Sequence, residues 1–281
     1  MTAAAPSTDV TPAVATSRRA ARGGLKQLWR AALVVGFGVL VVAVVEVLTA
    51  SRVISPLLMP RPSAVAERLG EVVWSIVSGG AIARFALETA TALLISLVVA
   101  IALGVAIGTL LAQSKIAKLI LYPYVLALNA APRIVFAPMF VIWFGLGLTS
   151  KVVMAVSIGA FPVIVGTLAG LARAEGNTHK LMVASRATRL QRFRLVEFPS
   201  ALPYIVAGAE TASVLVAVGV IIGEFTAGNQ GLGYLIIVAQ ENFELPSVFA
   251  LVIVVAIMGI LLNGLVTLIG RRVVFWGRAA R

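Results

Sequence analysis

Of the 281 residues, 60% are hydrophobic and only 12% carry a charged side chain, where a soluble domain has about 25%, and the mean hydropathy is +1.04. A chain of this length has no core large enough to hide that much apolar surface from water, so an ordinary soluble domain is excluded and lipid is the natural solvent. The net charge of +12 does not indicate a nucleic-acid partner, because the basic residues cluster between apolar runs and no nucleic-acid-binding motif is present.

The absence of cysteine excludes disulfides, thiolate metal sites and cysteine nucleophiles. A single histidine, His179, excludes a multi-histidine metal site or a histidine-based triad. Residues 1–17 are rich in Ala, Pro, Thr and Ser, the composition of a disordered tail. Residues 18–30 carry Arg18, Arg19, Arg22, Lys26 and Arg30 among Leu25, Leu28 and Trp29, which suits a short amphipathic helix on the inner membrane surface or a plain basic flank. Residues 1–30 are therefore expected to form a basic N-terminal tail.

Six apolar segments follow, near 31–50, 86–112, 119–146, 152–171, 202–227 and 247–270. Each is long enough to cross a hydrocarbon core, which takes about 20 helical residues. The first exceeds the apolar core of a signal peptide, about 7–15 residues, and is expected to stay as a helix. The expected fold is thus an all-α membrane protein with about six transmembrane helices over 31–270 and a basic tail over 271–281.

Lys and Arg placement orients these spans. The N-terminal flank, the loop with Lys115 and Lys118, the loop with Arg173, Lys180, Arg186, Arg189, Arg192 and Arg194, and the end with Arg271, Arg272, Arg278 and Arg281 alternate with poorer loops. Those poorer loops hold only Arg52, Arg61, Arg68, Arg84 and Lys151, and none of these residues falls in 228–246. Basic loops stay cytoplasmic, so both termini are expected inside. Pro123, Pro132, Pro138 and Pro162 free backbone carbonyls at membrane depth, so the third and fourth segments are expected to pack inside the bundle. Gly104, Gly108, Gly159, Gly166 and Gly170 suit close helix packing.

The basic loop over 172–201 is long for a turn between membrane helices. Leu181, Met182, Leu190, Phe193, Leu195 and Val196 alternate there with arginines, the pattern of one or two short amphipathic helices, which Pro199 and Pro203 are expected to end before the next span. Such a loop could lie on anionic lipid or dock a cytoplasmic partner.

The stretch ATRLQRFRLVEFPSALPYIVAG (187–208) resembles the cytoplasmic loop of bacterial ABC importer permeases. In that family Glu-Ala-Ala is followed by a glycine and, further on, by Leu-Pro. Here Lys180, Leu181 and Met182 stand at the triplet and Arg186 at the glycine, while Ala187, Thr188, Arg189, Phe193, Pro199, Ala201, Leu202 and Pro203 follow the pattern. PRIVFAPMFVIWFGLGLTSK (132–151), FPVIVGTLAGL (161–171), GEF (223–225), GLGYLI (231–236) and RRVVFW (271–276) are similar to the nitrate, sulfonate and taurine branch, with GEF and PRIVFAP closer to the importers of thiamine-pyrimidine precursors and riboflavin.

The resemblance implies a type I importer permease fold in a bacterial cytoplasmic membrane, working as a homo- or heterodimer with two cytoplasmic ABC ATPases and an external substrate-binding protein. It implies that 172–201 contains the helix that couples to the ATPase. ATP and Mg would be used by those partners, since this chain has no G-x-x-x-x-G-K-[ST] loop; no cofactor, metal or catalytic residue is expected in it. A left-handed backbone at the family's glycine position would be costly for Arg186.

Charged and polar residues inside spans are candidates for the pathway or its gate. Glu224, in GEF near the outer end, suits gating, a helix–helix hydrogen bond or contact with headgroup water. Glu210 suits a similar role or snorkelling to the cytoplasmic face. Asn129, before Pro132, could line the pathway or cap freed carbonyls, and Ser213 and Thr211 could do so or bond to their own backbone. Glu46 and Glu88 read as interfacial, and Trp143 and Phe144 as an aromatic belt. The competing classes are a self-sufficient secondary transporter, for which no inverted repeat is apparent, and a membrane enzyme, for which no polar catalytic cluster is visible.

Overall fold

The structure is a computed structural model describing residues 13–51, 53–55, 58–173, 181–182, 184–227 and 229–276, with the side chains of 13–28, 30 and 31 excepted. Among the described residues it consists of helices joined by turns and short loops, with no strand. We number the helices α1 (Ala13–Ala50), α2 (Pro62–Val77), α3 (Ala81–Gln113), α4 (Lys115–Ala130), α5 (Ala137–Phe144), α6 (Leu148–Arg173), α7 (Arg189–Ala227), α8 (Leu232–Glu241) and α9 (Leu245–Val273). The expected tail over 1–17 lies outside the described residues up to position 12, as does the C-terminal tail beyond Trp276. Residues 18–30 run as the first turns of α1.

The chain divides into two units, Met1–Ala64 and Val65–Arg281. In the first, Ala32–Ala50 is long and apolar enough to span a membrane. Near its end Glu46 accepts the backbone N–H of Ser63 at 2.9 Å and the Ser63 hydroxyl at 2.8 Å, which caps the first turn of α2.

In the second unit α3, α6, α7 and α9 each meet the same test, and α4 with α5 forms a sixth candidate bent by 89°. The core is the contact of α6 with α7, which run antiparallel. In lipid there is no hydrophobic drive to pair helices, so close backbone approach through small residues takes over. Gly159 lies against Val216, Gly166 against the Tyr204 carbonyl and Gly170 against Ala201, while a Cβ on Gly219 would stand 2.5 Å from the Ala155 Cα. On α3, Gly104 and Gly108 make the same fit to Val163 and Thr167 of α6. Above this, α2, α3, α8 and α9 share a cluster built on Val72, Ala86, Leu232, Ile236, Leu251 and Val254.

The structure departs from the sequence expectations in several places. Two helices, α2 and α8, lie where only loops were expected, because each is too short to span. Lys151, Arg68 and Arg84 belong to helices rather than loops, and Lys151 is fully buried. Pro199 and Pro203 do not end a helix. The chain stays helical from Arg189 to Ala227, and a π-helical stretch over Phe193–Glu197 stands directly before Pro199, with the Phe198 N–H reaching back to the Phe193 carbonyl. Widening of the turn makes room for a ring that would otherwise crowd the preceding carbonyl.

Contrary to expectation, the third segment is little buried by the described residues of the second unit. Among residues 115–144 only Ala137 is buried.

Candidate functional site

The described coupling candidates lie in the turn before α7 and along its first turns, some exposed and some turned inward. The N–H of Ser185 donates to the Leu181 carbonyl at 2.9 Å and that of Ala187 to the Met182 carbonyl at 3.0 Å, with Arg186 between them at φ +56°. This is a helix C-terminal turn closed by a left-handed residue, normally glycine, and here an arginine occupies it at a cost of roughly 1 kcal/mol. Lys180 lies outside the described residues.

Thr188 then starts α7 with a capping box. Its hydroxyl accepts the Gln191 N–H at 3.3 Å, and the Gln191 side chain accepts the Thr188 N–H at 2.8 Å. Phe193 turns inward and joins Leu171, Ala201 and Ile205, its ring 5.7 Å from that of Phe198. Leu181, Leu190 and Leu195 point outward and are 60–67% exposed, flanked by exposed Arg189 and Arg194. Pro199 and Pro203 are half-buried and belong to the helix body. Beside them a cavity of about 390 Å³ is lined by Lys118, Arg189 and Arg192 together with Glu197.

Three polar clusters lie within the spans. In the first, the Thr89 hydroxyl donates to Glu224 Oε1 at 2.8 Å and accepts the Leu232 N–H at 2.8 Å, while the Gly233 N–H donates to Glu224 Oε2 at 2.8 Å. Thr89 and Glu224 are completely buried. The first N–H groups of α8 have no partner inside their own helix, so a carboxylate from α7 and a hydroxyl from α3 cap it together. Lys151, also buried, donates from Nζ to the Gln230 carbonyl at 2.7 Å and pins the same turn from α6. Gly231, at φ +99°, is required here because a Cβ would lie 2.0 Å from Glu224 Oε1. Within this chain Glu224 makes helix–helix hydrogen bonds and does not reach headgroup water.

In the second cluster the Ser213 hydroxyl donates to the Glu210 carbonyl at 2.7 Å, and the Asn263 amide donates to that carbonyl at 3.0 Å and to Ser213 Oγ at 2.9 Å. It ties α9 to α7 through the Glu210 backbone, and the Glu210 side chain is half-buried. Thr211 bonds back to the Ala207 carbonyl.

The third cluster sits at the α4–α5 break. Arg133 donates from Nε to the Leu128 carbonyl at 3.2 Å, from Nη2 to Asn129 Oδ1 at 2.6 Å, and from Nη1 to the Ser157 carbonyl of α6. Asn129 is exposed and serves as an acceptor for Arg133.

Asn129, Glu210, Ser213 and Glu224 therefore do not meet at one place. Sequence reasoning passed over Arg133, Thr89 and Asn263. Arg133 had a legible signal, being the only charged residue between Lys118 and Lys151, and Asn263 is the only amide in α9. Nothing in the sequence distinguishes Thr89 from other threonines. Among the described residues no group of acids and His could hold a metal ion.

The family described as "Binding-protein-dependent transport system inner membrane component" matches residues 100–275. The riboflavin transport system permease protein RibX of Chloroflexus aurantiacus is 32% identical over 219 residues, 78% of this chain and 80% of that one. The formylaminopyrimidine transport permease protein ThiX of Halalkalibacterium halodurans is 30% identical, over 79% and 87% of the two chains. The taurine transport system permease protein TauC of Escherichia coli is 27% identical, over 80% and 82%. Among solved structures, the inward-facing MetNI methionine ABC transporter shares the fold with a TM-score of 0.57 at 23% identity, over 68% of this chain and 95% of that chain.

Proposed function

The chain belongs to the family of binding-protein-dependent transport system inner membrane components, the permeases of ABC transporters, and on that premise we propose that it is the passage-forming subunit of an ATP-driven importer. Two permease subunits would form the passage, an external binding protein would deliver the solute, and two cytoplasmic ATPases would bind ATP and Mg. Both termini and residues 172–201 would face the cytoplasm, as the Arg and Lys distribution favours.

The observation that carries this reading is the continuity of α7. The exposed leucines of its first turns, the inward-turned Phe193 and the buried Glu224 belong to one unbroken helix of 39 residues. A push on Leu190 or Leu195 from a docked ATPase would be transmitted along this continuous helix toward the opposite end of the bundle, as rigid-body alternating access requires. The capping box at Thr188 secures the start of that helix. For the solute, the riboflavin and formylaminopyrimidine relatives favour a small heterocyclic compound.

Gentle solubilisation from the native host, followed by identification of co-purifying chains, tests the reading. A soluble ATPase with a phosphate-binding loop is expected, and Leu190→Asp with Leu195→Asp is expected to release it while the permease stays folded. A lone oligomer without ATPase would favour a self-sufficient secondary transporter.

A further inference from the structure

The Ser157 carbonyl that receives Arg133 lies nine residues from the start of α6 and sixteen from its end, about 14 Å and 24 Å along the helix at 1.5 Å per residue. The α4–α5 break is therefore inside the apolar layer, which is about 30 Å thick. Irregular backbone at that depth persists only where protein buries it or water reaches it. Among the described residues of the second unit the break has little cover: Ile134 and Val135 in it are 58% and 64% exposed, and Leu128 beside it is 66% exposed.

Arg133 distinguishes between the two coverings. A guanidinium has five N–H groups, and three of them are taken by Leu128, Asn129 and Ser157. Two remain on a half-buried side chain. Its three partners are neutral acceptors, so none of them balances the guanidinium charge. A dry contact with a second copy that brought no acid would leave an uncompensated charge and two unpaired donors in a low dielectric, a costly arrangement. Contact with water avoids that cost.

We infer that the α4–α5 break lines an aqueous passage and that Arg133 makes this point of the passage selective for solutes presenting an anionic or carbonyl-type acceptor group. The three backbone and amide acceptors hold the guanidinium plane in place, and the two remaining N–H groups face the passage. The inference rests on the proposed role of the chain as a passage-forming subunit.

The chain has no cysteine, so single cysteines report cleanly. In the assembled complex in nanodiscs, Ile134→Cys is treated with two membrane-impermeant thiosulfonates of similar size, one carrying a sulfonate and one a trimethylammonium group. Labelling of this chain is read by mass. Both reagents are expected to react, and the anionic-to-cationic rate ratio is expected to fall roughly tenfold when Arg133→Gln is added, with Arg133→Lys keeping most of it. Any effect of Arg133 on thiol ionisation cancels in the ratio.

If Arg133→Gln does not assemble, the ratio at Ile134→Cys is compared with that at Leu146→Cys, an exposed position beyond the far end of α5, and is expected to be several-fold higher. No labelling at position 134 would mean a dry break and would overturn the inference. A ratio indifferent to Arg133, or equal at 134 and 146, would leave Arg133 as a strut and would overturn it too. Failure of an ATPase to co-purify would sink the importer reading without altering these ratios.

Discussion

Glu46 and Glu224 are placed alike in two different surroundings. Each lies about one turn from the end of a long apolar helix, and each accepts one backbone N–H from the first turn of the next helix and one hydroxyl, at 2.8–2.9 Å. For Glu46 both donors are on Ser63, and the group is half-buried. For Glu224 one donor is Gly233 and the other is Thr89, 135 residues away on α3, and nothing of the side chain is exposed. The same capping device is thus a local turn in one place and a joint between three helices in the other. Its energetic weight comes from burial, because a donor left without its carboxylate finds water in the first case and nothing in the second.

Four substitutions would sharpen or break that comparison, each read by thermal unfolding of the purified complex in one detergent. Gly231→Ala should be the most damaging, since it combines a left-handed backbone with a Cβ 2.0 Å from Glu224 Oε1, and a loss of about 3–5 kcal/mol is expected. A melting temperature close to that of the parent would mean the joint is looser than described. Glu224→Ala should follow, at about 2–4 kcal/mol, because it strands the Gly233 N–H and the Thr89 hydroxyl in the interior. Thr89→Val keeps the shape but leaves the Leu232 N–H unpaired, so about 1–2 kcal/mol is expected. Glu46→Ala should give no resolvable shift. If it destabilised as much as Glu224→Ala, burial would not be what separates the two sites.

Much of the architecture was legible because hydropathy is a local quantity. The spans at α1, α3, α6, α7 and α9 follow from apolar length alone, and the small residues at Gly104, Gly159 and Gly166 marked where helices would touch. Local patterns misled where neighbours changed their meaning. Pro199 and Pro203 read as stops, yet a π-helical stretch makes room for Pro199 and α7 continues through Pro203 as well. Arg186 read as a poor occupant of a left-handed turn, and it nonetheless adopts φ +56°. Arg133 was hidden by its apolar neighbours, and GLGYLI looked like loop although most of it forms α8.

By itself the sequence determined that this chain lives in lipid, how many times it can cross, and which segments are too polar to do so. These follow from transfer free energies that add up residue by residue along the chain. Only the tertiary structure decided that Glu224 caps α8 through Thr89, that Lys151 is buried against Gln230, and that α4 leaves no residue buried among the described residues of the second unit. Hydrogen-bond partners separated by 79 to 143 positions are chosen by how helices pack, and no sum over neighbouring residues contains that information.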